Sequence, residues 1–260
     1  MIRTLRSEFI KFRTITMNWV LGIVAMAFPL GITLLTAWFQ GDNRDFTGRN
    51  LVEVLSGTSY VTVLLVMVLS ATHITNEYGF GTIRPTFAAT PHRRRVIAAK
   101  GVMLVAFSVA MQAVVLGVGL GLGKVLAEQR GATISFSSQL YGGDNLMVPL
   151  VGTLILTACA AVLGLGVGML MRSTPLSITT LVLWPLLIEG LLSGLIVLIT
   201  HKVRAAFWLP FRAGLRLAMV GGGLDFEDVG PSRTAAGVYF ALFSLAVALL
   251  GTWSVSRRDA

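Results

Sequence analysis

The sequence contains few charged residues and a single cysteine. Asp, Glu, Lys and Arg together make up only 13% of its 260 residues, whereas hydrophobic residues make up 55%. Soluble domains contain about 25% charged residues, so this composition excludes an ordinary soluble protein and indicates a membrane protein. Because Cys159 is the only cysteine, an intrachain disulfide bond is excluded as well.

Nucleotide-binding and catalytic motifs are also missing. The stretch nearest to the phosphate-binding sequence G-x-x-x-x-G-K-[ST] is 118–125, where Val118 replaces the first glycine and Val125 replaces the final Ser or Thr. The hydrolase motifs G-x-S-x-G and H-E-x-x-H do not occur. The three histidines and the cysteine have no zinc-like spacing. We therefore expect no catalytic residue, no bound cofactor and no metal site in this chain.

The N-terminal segment lacks the short apolar core and the cleavage site of a signal peptide. Within residues 1–16, the side chains of Ile2, Leu5, Phe9 and Phe12 fall on one helical face, and arginines flank that face. This pattern is typical of an amphipathic helix that lies on a membrane surface. It leaves open whether the helix is only an anchor or also contacts a partner.

Six apolar stretches are long enough to cross a bilayer as helices, which takes about 20 residues each. Their apolar residues form continuous runs instead of alternating with polar ones, which favours helices over barrel strands. We therefore predict an all-α membrane protein with one transmembrane domain over residues 1–260 and no soluble domain. The predicted spans are 17–39, 54–75, 101–123, 146–171, 175–200 and 234–255.

Lys and Arg are distributed unevenly between the two sides of the predicted membrane domain. With six spans, both termini and the linker 76–100 lie on the same side, which holds more than half of the 21 Lys and Arg residues in fewer positions than the other side. Cytoplasmic segments carry such an excess, so we predict cytoplasmic termini and a location in the cell membrane. The net charge of +9 is explained by basic residues beside lipid headgroups, so we expect the bilayer and no nucleic acid as a partner.

The linker 76–100, NEYGFGTIRPTFAATPHRRRVIAAK, contains more than membrane retention requires. Arg93, Arg94 and Arg95 suit a loop that is held at the cytoplasmic headgroups, and membrane placement alone explains them. The segment 77–85 is not explained in this way. Its glycines predict a bend, and Pro85 suits the first turn of a short helix.

This linker resembles that of ABC-2 type exporter permeases, the membrane subunits of one class of ATP-driven transporter. Small members of that class commonly show an acid, a tyrosine or similar residue, then G-T-x-R and a basic run entering the third span. The N-terminal helix and the six spans match as well. The resemblance implies that the linker carries a coupling helix that docks on a separate cytoplasmic ATPase, which binds ATP and Mg. The residues assigned to this ATPase contact are Glu77, Tyr78, Gly81, Thr82, Arg84 and Pro85.

The resemblance also implies that two permeases, either two copies or this chain and a paralogue, pair to form a translocation pathway. The stretch FWLPFRAGLRLAMVGGG (207–223), in the outer loop 201–233, resembles the start of short helices that dip back toward the membrane. An aromatic belt at the interface explains Trp208 equally well. Family members export drugs, antibiotics, peptides, lipids or polysaccharides, and a mostly apolar interior suits a hydrophobic or amphipathic compound.

Glu189, in LWPLLIEGLL, is the only acid inside a predicted span. A charged acid at mid-bilayer costs about 2.5–3.5 kcal/mol, so Glu189 is expected to be neutral, paired or facing a wet cavity. We expect Glu189 and Trp208 to act in the translocation pathway or its gating. The alternative for Glu189 is a structural hydrogen bond between helices.

The predicted function is therefore a permease subunit of an ATP-driven exporter. The alternative is a stand-alone secondary transporter or channel, which is expected to carry several intramembrane charges and inverted repeats. This sequence has one such acid and no clear repeat. An intramembrane enzyme requires catalytic groups that converge within the spans, and Glu189 alone does not supply them. Small-residue pairs such as Gly117 with Gly121 and Gly164 with Gly168 predict close helix packing and no chemistry.

Overall fold

A computed structural model of the protein describes residues 2–43, 45–81, 93–136, 145–220 and 230–258, with the side chains of 2–4, 93, 94 and 258 left aside. All the regular elements in these ranges are helices. They are α1 (Ile2–Thr14), α2 (Thr16–Gln40), α3 (Gly48–Gly79), α4 (Arg93–Gln129), α5 (Met147–Met171), α6 (Thr174–Leu183), a π-helical turn (Trp184–Ile188), α7 (Glu189–Thr200), α8 (Val203–Ala206), α9 (Pro210–Leu215) and α10 (Arg233–Arg258).

Six helical segments of the described chain are long and apolar enough to cross a membrane, which confirms the predicted fold class. They are α2, α3, α4, α5, the continuous segment Thr174–Thr200, and α10. Helices α3 and α4 extend beyond the predicted spans, because Gly48–Gly79 has 32 residues and Arg93–Gln129 has 37. A helix rises about 1.5 Å per residue, so both project past a bilayer core about 30 Å thick.

The centre of the bundle is the contact between α3 and α5. Within their apolar stretches 67% and 61% of the residues are buried, the largest shares among the six candidate spans. Glycines permit this contact: a Cβ atom added to Gly164 would lie 2.2 Å from the Met67 carbonyl oxygen. On the other side of α5, a Cβ atom added to Gly166 would lie 2.7 Å from the backbone nitrogen of Ala248 in α10. Small residues therefore let α5 pack closely against α3 and α10.

The segment α6–α7 lies at the edge of the bundle and contains the π-helical turn. Only 11% of its apolar stretch is buried, and residues such as Leu191 and Leu198 are exposed, as suits a surface that contacts lipid tails. The π-helical turn begins at Trp184 and includes Pro185. Because proline has no backbone N–H and crowds the preceding turn, the helix accommodates it by widening locally.

One end of the bundle, which we call the linker end, gathers α1, the last turn of α3, the first turns of α4, the α5–α6 turn and the last turns of α10. Arg172, in the α5–α6 turn, places its guanidinium 5.4 Å from the ring centroid of Tyr78 and donates a hydrogen bond to the Ser254 carbonyl oxygen at 3.1 Å. The C-terminal ends of α2 and α4 and the N-terminal ends of α3, α5 and α10 lie at the opposite end.

Candidate coupling and gating sites

The last turn of α3 leads into the predicted coupling linker. The Phe80 N–H donates to the Asn76 carbonyl oxygen at 2.9 Å, and Gly81 then adopts a φ of +67°, a left-handed conformation that favours glycine. The Phe80 side chain is 81% exposed. The predicted bend at Gly79–Gly81 is therefore present, and it presents an apolar ring to the surroundings.

The rest of the predicted linker site lies outside the described residues. Thr82, Arg84, Pro85 and the expected short helix after them belong to this part, and the side chains of Arg93 and Arg94 are likewise not described. Arg95 is exposed near the start of α4. The roles assigned to these residues stay predictions.

Tyr78 and its neighbours join the end of α3 to the α5–α6 turn. Besides the contact of Arg172 with the Tyr78 ring, the hydroxyl groups of Thr75 and Thr174 lie 2.8 Å apart, within hydrogen-bonding distance. Thr174 begins α6. A displacement of the last turn of α3 therefore acts directly on the junction between two other spans.

Five ionisable side chains meet at the linker end in what we call the charge cluster: Glu8, Lys11, His73, Glu77 and Lys100. Each lysine contacts both carboxylates. Lys11 Nζ lies 3.0 Å from Glu8 Oε1 and 3.0 Å from Glu77 Oε1. Lys100 Nζ lies 2.8 Å from Glu77 Oε1 and also donates to Glu8 Oε2. His73 Nε2 is 3.6 Å from Glu8 Oε2.

The charge cluster is balanced and largely buried. Glu8 and Lys100 are each 1% exposed, His73 is 2% exposed and Glu77 is 9% exposed, whereas the Lys11 side chain is 38% exposed. The negative charges of the two carboxylates and the positive charges of the two ammonium groups sum to zero if the imidazole is neutral. Charges buried in this way persist only when each one is paired.

Glu77 was predicted to contact the ATPase, and the structure places its carboxylate inside the charge cluster. A carboxylate that is mostly buried between Lys11 and Lys100 offers little surface to a partner. We therefore expect Glu77 to influence coupling through the positions of α1 and α4. The exposed neighbour, Phe80, is the better candidate for direct contact.

The charge cluster also determines which face of α1 meets the protein. Glu8 and Phe12 are buried and Leu5 packs beside them, whereas Phe9 and Ile10 are 55% and 53% exposed. The residues that were predicted to face the membrane therefore fall into two groups, one packed against the protein and one exposed. Phe12 packs against the Phe107 ring at a centroid distance of 4.5 Å, and Phe9 points away from the protein. The side chain of Ile2 is not described.

Electrostatics keep Glu8 ionised. Burial by itself raises the pKa of Glu8, but the contact with His73 and the positive charges of Lys100 and Lys11 outweigh burial and lower the pKa from 4.5 to about 2. Partial burial by itself would lower the pKa of Lys11, but Glu77 and Glu8 outweigh it and raise that pKa. Both groups therefore carry their charges throughout the physiological pH range.

We predict that the stability contributed by Glu8 is lost only in strong acid. Because the pKa of Glu8 is depressed in the folded protein, this contribution is complete above about 4.5 and declines as the pH falls toward about 2. The measurement is the difference in unfolding free energy between the wild type and Glu8→Gln, in detergent, from pH 7 to 3. A difference that already shrinks between pH 7 and 6 would contradict this prediction.

No motif in the sequence predicts a site at Glu8, His73 or Lys100. One signal was present, because Glu8 lies on the same helical face as Leu5 and Phe12, where a polar residue is unexpected. Lys100 directly precedes the third apolar run and was interpreted as part of the basic linker. Their convergence depends on contacts across 92 residues of chain, as between Glu8 and Lys100, which no local pattern reveals.

The second candidate site is formed by Glu189 and α9. Glu189 is 1% exposed, and its two carboxylate oxygens accept backbone hydrogen bonds from Phe211 at 2.9 Å and Arg212 at 3.0 Å. Pro210, the first residue of α9, has no N–H, and the Ala213 N–H bonds to the Leu209 carbonyl oxygen at 2.9 Å. Glu189 therefore satisfies the two donors that this short helix would otherwise leave without partners.

The contact with Glu189 also places the start of α9 beside the beginning of α7, far from the end of α7 at Thr200. Helix α7 has 12 residues from Glu189 to Thr200, so the carboxylate lies about 16 Å along the axis from the end of the helix. Interrupted backbone at such a depth is tolerated only where protein buries it or where it lines a cavity. Phe211 and Gly214 are buried, and a Cβ atom on Gly152 of α5 would lie 1.8 Å from the Leu217 carbonyl oxygen. The segment 210–217 is thus packed against the bundle.

The geometry of Glu189 matches the hydrogen-bonding alternative, and any role in gating would act through α9. Trp208, which was predicted to act in the same pathway, is 47% exposed and packs edge-on against Tyr239 with 5.8 Å between ring centroids. Trp208 precedes by three residues the Phe211 N–H that Glu189 binds, and no hydrogen bond between Glu189 and Trp208 is among those of the described residues. A pathway role for either residue stays a prediction.

We expect Glu189→Gln to loosen α9. A glutamine amide has a single oxygen acceptor, so one of the two buried N–H groups loses its partner, at a cost of about 1–3 kcal/mol. The measurement is maleimide labelling of a cysteine introduced by Ala213→Cys in a Cys159→Ala background, because Ala213 is 1% exposed in the native state. Labelling should become several-fold faster.

The control for this experiment is Glu128→Gln, because Glu128 is an exposed acid whose partner is Lys124 at 3.6 Å. This substitution should leave the labelling rate unchanged. If Glu189→Gln also left the rate unchanged, Glu189 would not hold α9 in place.

Metal binding has no candidate site in the described ranges, because no group of three His, Cys, Asp or Glu side chains there could hold an ion.

Comparison with known families identifies the class of protein. A family model described as "ABC-2 family transporter protein" matches residues 4–185, which is well over half of the chain. The chain belongs to the ABC-2 family of transporter proteins.

The family match covers α1 to α6, including the whole charge cluster and both ends of the linker. The protein is therefore a multi-pass membrane protein and a permease of an ABC-type transporter, and membrane proteins of this family generally work with ATPase partners. No curated protein and no solved structure matches the sequence of this permease.

Proposed function

We propose that this permease is the membrane subunit of an ATP-driven exporter in the cell membrane. Two permeases, either copies or paralogues, pair to form the translocation pathway, and each contacts a separate cytoplasmic ATPase. The exported compound is hydrophobic or amphipathic, of the drug, antibiotic, peptide or lipid type. Membership of the ABC-2 family supports the ATPase partner, and the apolar interior supports the choice of substrate class.

The observation that carries the proposal is the construction of the linker end. The exposed Phe80 ring directly follows the last turn of α3, and the end of α3 is bonded to α1, α4 and the start of α6. A partner that grips the ring therefore acts on four helices at once. A linker that only connected two spans would need none of these contacts.

The energy source follows from the motifs. The chain has no phosphate-binding loop of the Walker type, so ATP and Mg are assigned to the partner ATPase and this subunit is not itself an enzyme. The excess of Lys and Arg on the side of the termini supports a cytoplasmic linker end. The ATPase then approaches from the side on which Phe80 is exposed.

The test of the proposed function is affinity purification of the tagged permease from its native membranes. An ATPase that co-purifies at about one copy per permease supports the proposal. Its repeated absence would favour the alternative, a secondary transporter or channel without an ATPase. Crosslinking of the purified protein reports whether two permeases pair.

We expect Phe80→Ala to weaken the association with the ATPase at least tenfold. The substitution removes a large apolar side chain that is 81% exposed, and buried aromatic anchors at interfaces commonly contribute 2 kcal/mol or more, roughly a thirtyfold change in affinity. Membrane insertion and unfolding temperature should not change. The measurement is the amount of ATPase retained on the immobilised permease after washing.

Phe39→Ala is the matched control for this prediction. Phe39 is 72% exposed near the end of α2 at the opposite end of the bundle, so its removal should leave the association intact. Arg84→Ala, at a position predicted to contact the ATPase, should resemble Phe80→Ala. Full retention of the ATPase by Phe80→Ala would contradict the contact.

A further inference from the structure

The two ends of the coupling linker are bonded to each other. Glu77 lies in the last turn of α3 and Lys100 lies in α4, two turns after that helix begins at Arg93. The 2.8 Å contact between Glu77 Oε1 and Lys100 Nζ closes the loop formed by the intervening residues. A force applied to the linker therefore reaches both helices together.

Helix α1 also binds to the contact between the end of α3 and the start of α4. Glu8 binds Lys100 and lies 3.6 Å from His73, and Lys11 binds Glu77 at 3.0 Å. Next to these charges, Phe12 contacts the rings of both His73 and Phe107, at 5.6 and 4.5 Å between centroids. The inner face of α1 is thus attached to α3 and to α4 by charged and aromatic contacts.

Burial makes this junction stiff. Separating Glu8 from Lys100 would remove one ionic contact from each of two charges that are 1% exposed, where water does not replace the lost partner. The low dielectric of such a site strengthens each ionic contact and raises the cost of breaking it. Small displacements therefore move α1, the end of α3 and the start of α4 as one body.

The movement of α1 continues into the first span. Only Ile15 separates α1 from α2, and two side chains of α2 bind the last residues of α1. Asn18 Nδ2 donates to the Phe12 carbonyl oxygen at 3.0 Å, and Trp19 Nε1 donates to the Arg13 carbonyl oxygen at 2.9 Å. A short connection with two such bonds transmits rotation better than a flexible one.

We propose that Glu8 and Lys100 are positioning residues that transmit movement of the coupling linker to α1 and through it to α2. In this arrangement α1 is a moving part of the transport cycle in addition to being a membrane anchor. The inference rests on the proposed function, since the movement comes from the partner ATPase. Both residues are 1% exposed, so neither contacts that ATPase directly.

The test uses the permease–ATPase complex in nanodiscs, with an environment-sensitive fluorophore on a cysteine introduced by Ile10→Cys in a Cys159→Ala background. Ile10 is 53% exposed on the outer face of α1, so the label does not disturb the charge cluster. ATP with vanadate should change the fluorescence of the complex. In the double variant Glu8→Gln/Lys100→Met the change should fall at least fivefold, while the ATPase stays bound.

The double variant is chosen because it keeps the charge balance of the cluster. It leaves the pair Lys11–Glu77 and replaces the other pair by neutral side chains of similar size, an exchange that folded proteins commonly tolerate. The matched control, Glu128→Gln/Lys124→Met, neutralises an exposed pair 3.6 Å apart and should leave the response unchanged. The conservative variant Lys100→Arg retains the charge and should retain most of the response.

Two outcomes would overturn the inference. One is a wild-type response in Glu8→Gln/Lys100→Met, which would make the cluster a structural feature only. The other is the absence of any response in a wild-type complex that hydrolyses ATP, which would mean that α1 does not move. Failure of the proposed function is a separate result: no ATPase would then co-purify with the wild-type permease.

Discussion

Lys100→Met should destabilise the protein by about 3–5 kcal/mol, because removing one member of a buried ion pair leaves an uncompensated charge. Lys100 is 1% exposed and contacts Glu8 and Glu77. Water does not reach this position, so it would not solvate the two carboxylates in place of the ammonium group. Methionine has a similar length, so packing is largely preserved and the loss of charge dominates. The measurement is the unfolding free energy in mixed detergent micelles.

A double variant separates the effect of charge from the effect of packing in this prediction. Glu8→Gln/Lys100→Met should recover most of the lost stability, because it removes one carboxylate together with the lysine and so restores the charge balance of the cluster. A coupling free energy of about 0.5–3 kcal/mol between the two substitutions is expected for residues in contact. Lys124→Met, at a lysine whose side chain is 43% exposed, should cost no more than about 1 kcal/mol. Equal losses for Lys100→Met and Lys124→Met would contradict the burial argument.

Gly164→Leu should prevent the close packing of α3 on α5 and cost more than about 3 kcal/mol, which exceeds the usual range of about 1–3 kcal/mol for overpacking a core. A Cβ atom at this position would already lie 2.2 Å from the Met67 carbonyl oxygen and 2.8 Å from its Cα atom. Because the obstructing atoms belong to the backbone, whole helices must separate. Gly164→Ala should show the same effect at smaller size. The measurement is the unfolding temperature and the yield of monodisperse protein in detergent.

Gly117→Leu provides the matched control, since a Cβ atom at Gly117 meets nothing within 4 Å. This glycine belongs to a small-residue pair of the same spacing, Gly117 with Gly121. Its replacement should leave stability unchanged or raise it slightly, because glycine costs up to about 1 kcal/mol in a helix interior. If both glycines responded alike, the effect would come from helix propensity and not from packing.

The contrast between these glycines shows where sequence patterns stop being informative. Both pairs have three intervening residues and lie in apolar runs, and both predicted close packing. Only the pair in α5 meets the backbone of another helix, at Met67 and Ala71, whereas Gly117 and Gly121 face open space. Which face of a helix turns inward depends on its neighbours, and a continuous apolar run does not encode it.

The candidate sites were predictable to different degrees. The bend at Gly79–Gly81 followed from residue type, because glycine adopts the left-handed conformation that Gly81 shows. Glu189 was recognised because an acid within a span is costly. Its two bonds to the N–H groups of α9 join residues 22 and 23 positions apart, and hydropathy carries no information on such pairs.

The sequence by itself determined the six helical spans and the membrane class. A bilayer demands about 20 apolar residues per crossing and satisfied backbone hydrogen bonds, and both demands are local. Only the tertiary structure decided that Glu8 and Lys100 join α1 to the linker, that Glu77 lies inside this cluster, and that Glu189 holds α9. Each of these depends on bringing distant polar groups together out of water, and the free energy of such pairing belongs to the folded arrangement and not to any segment of the chain.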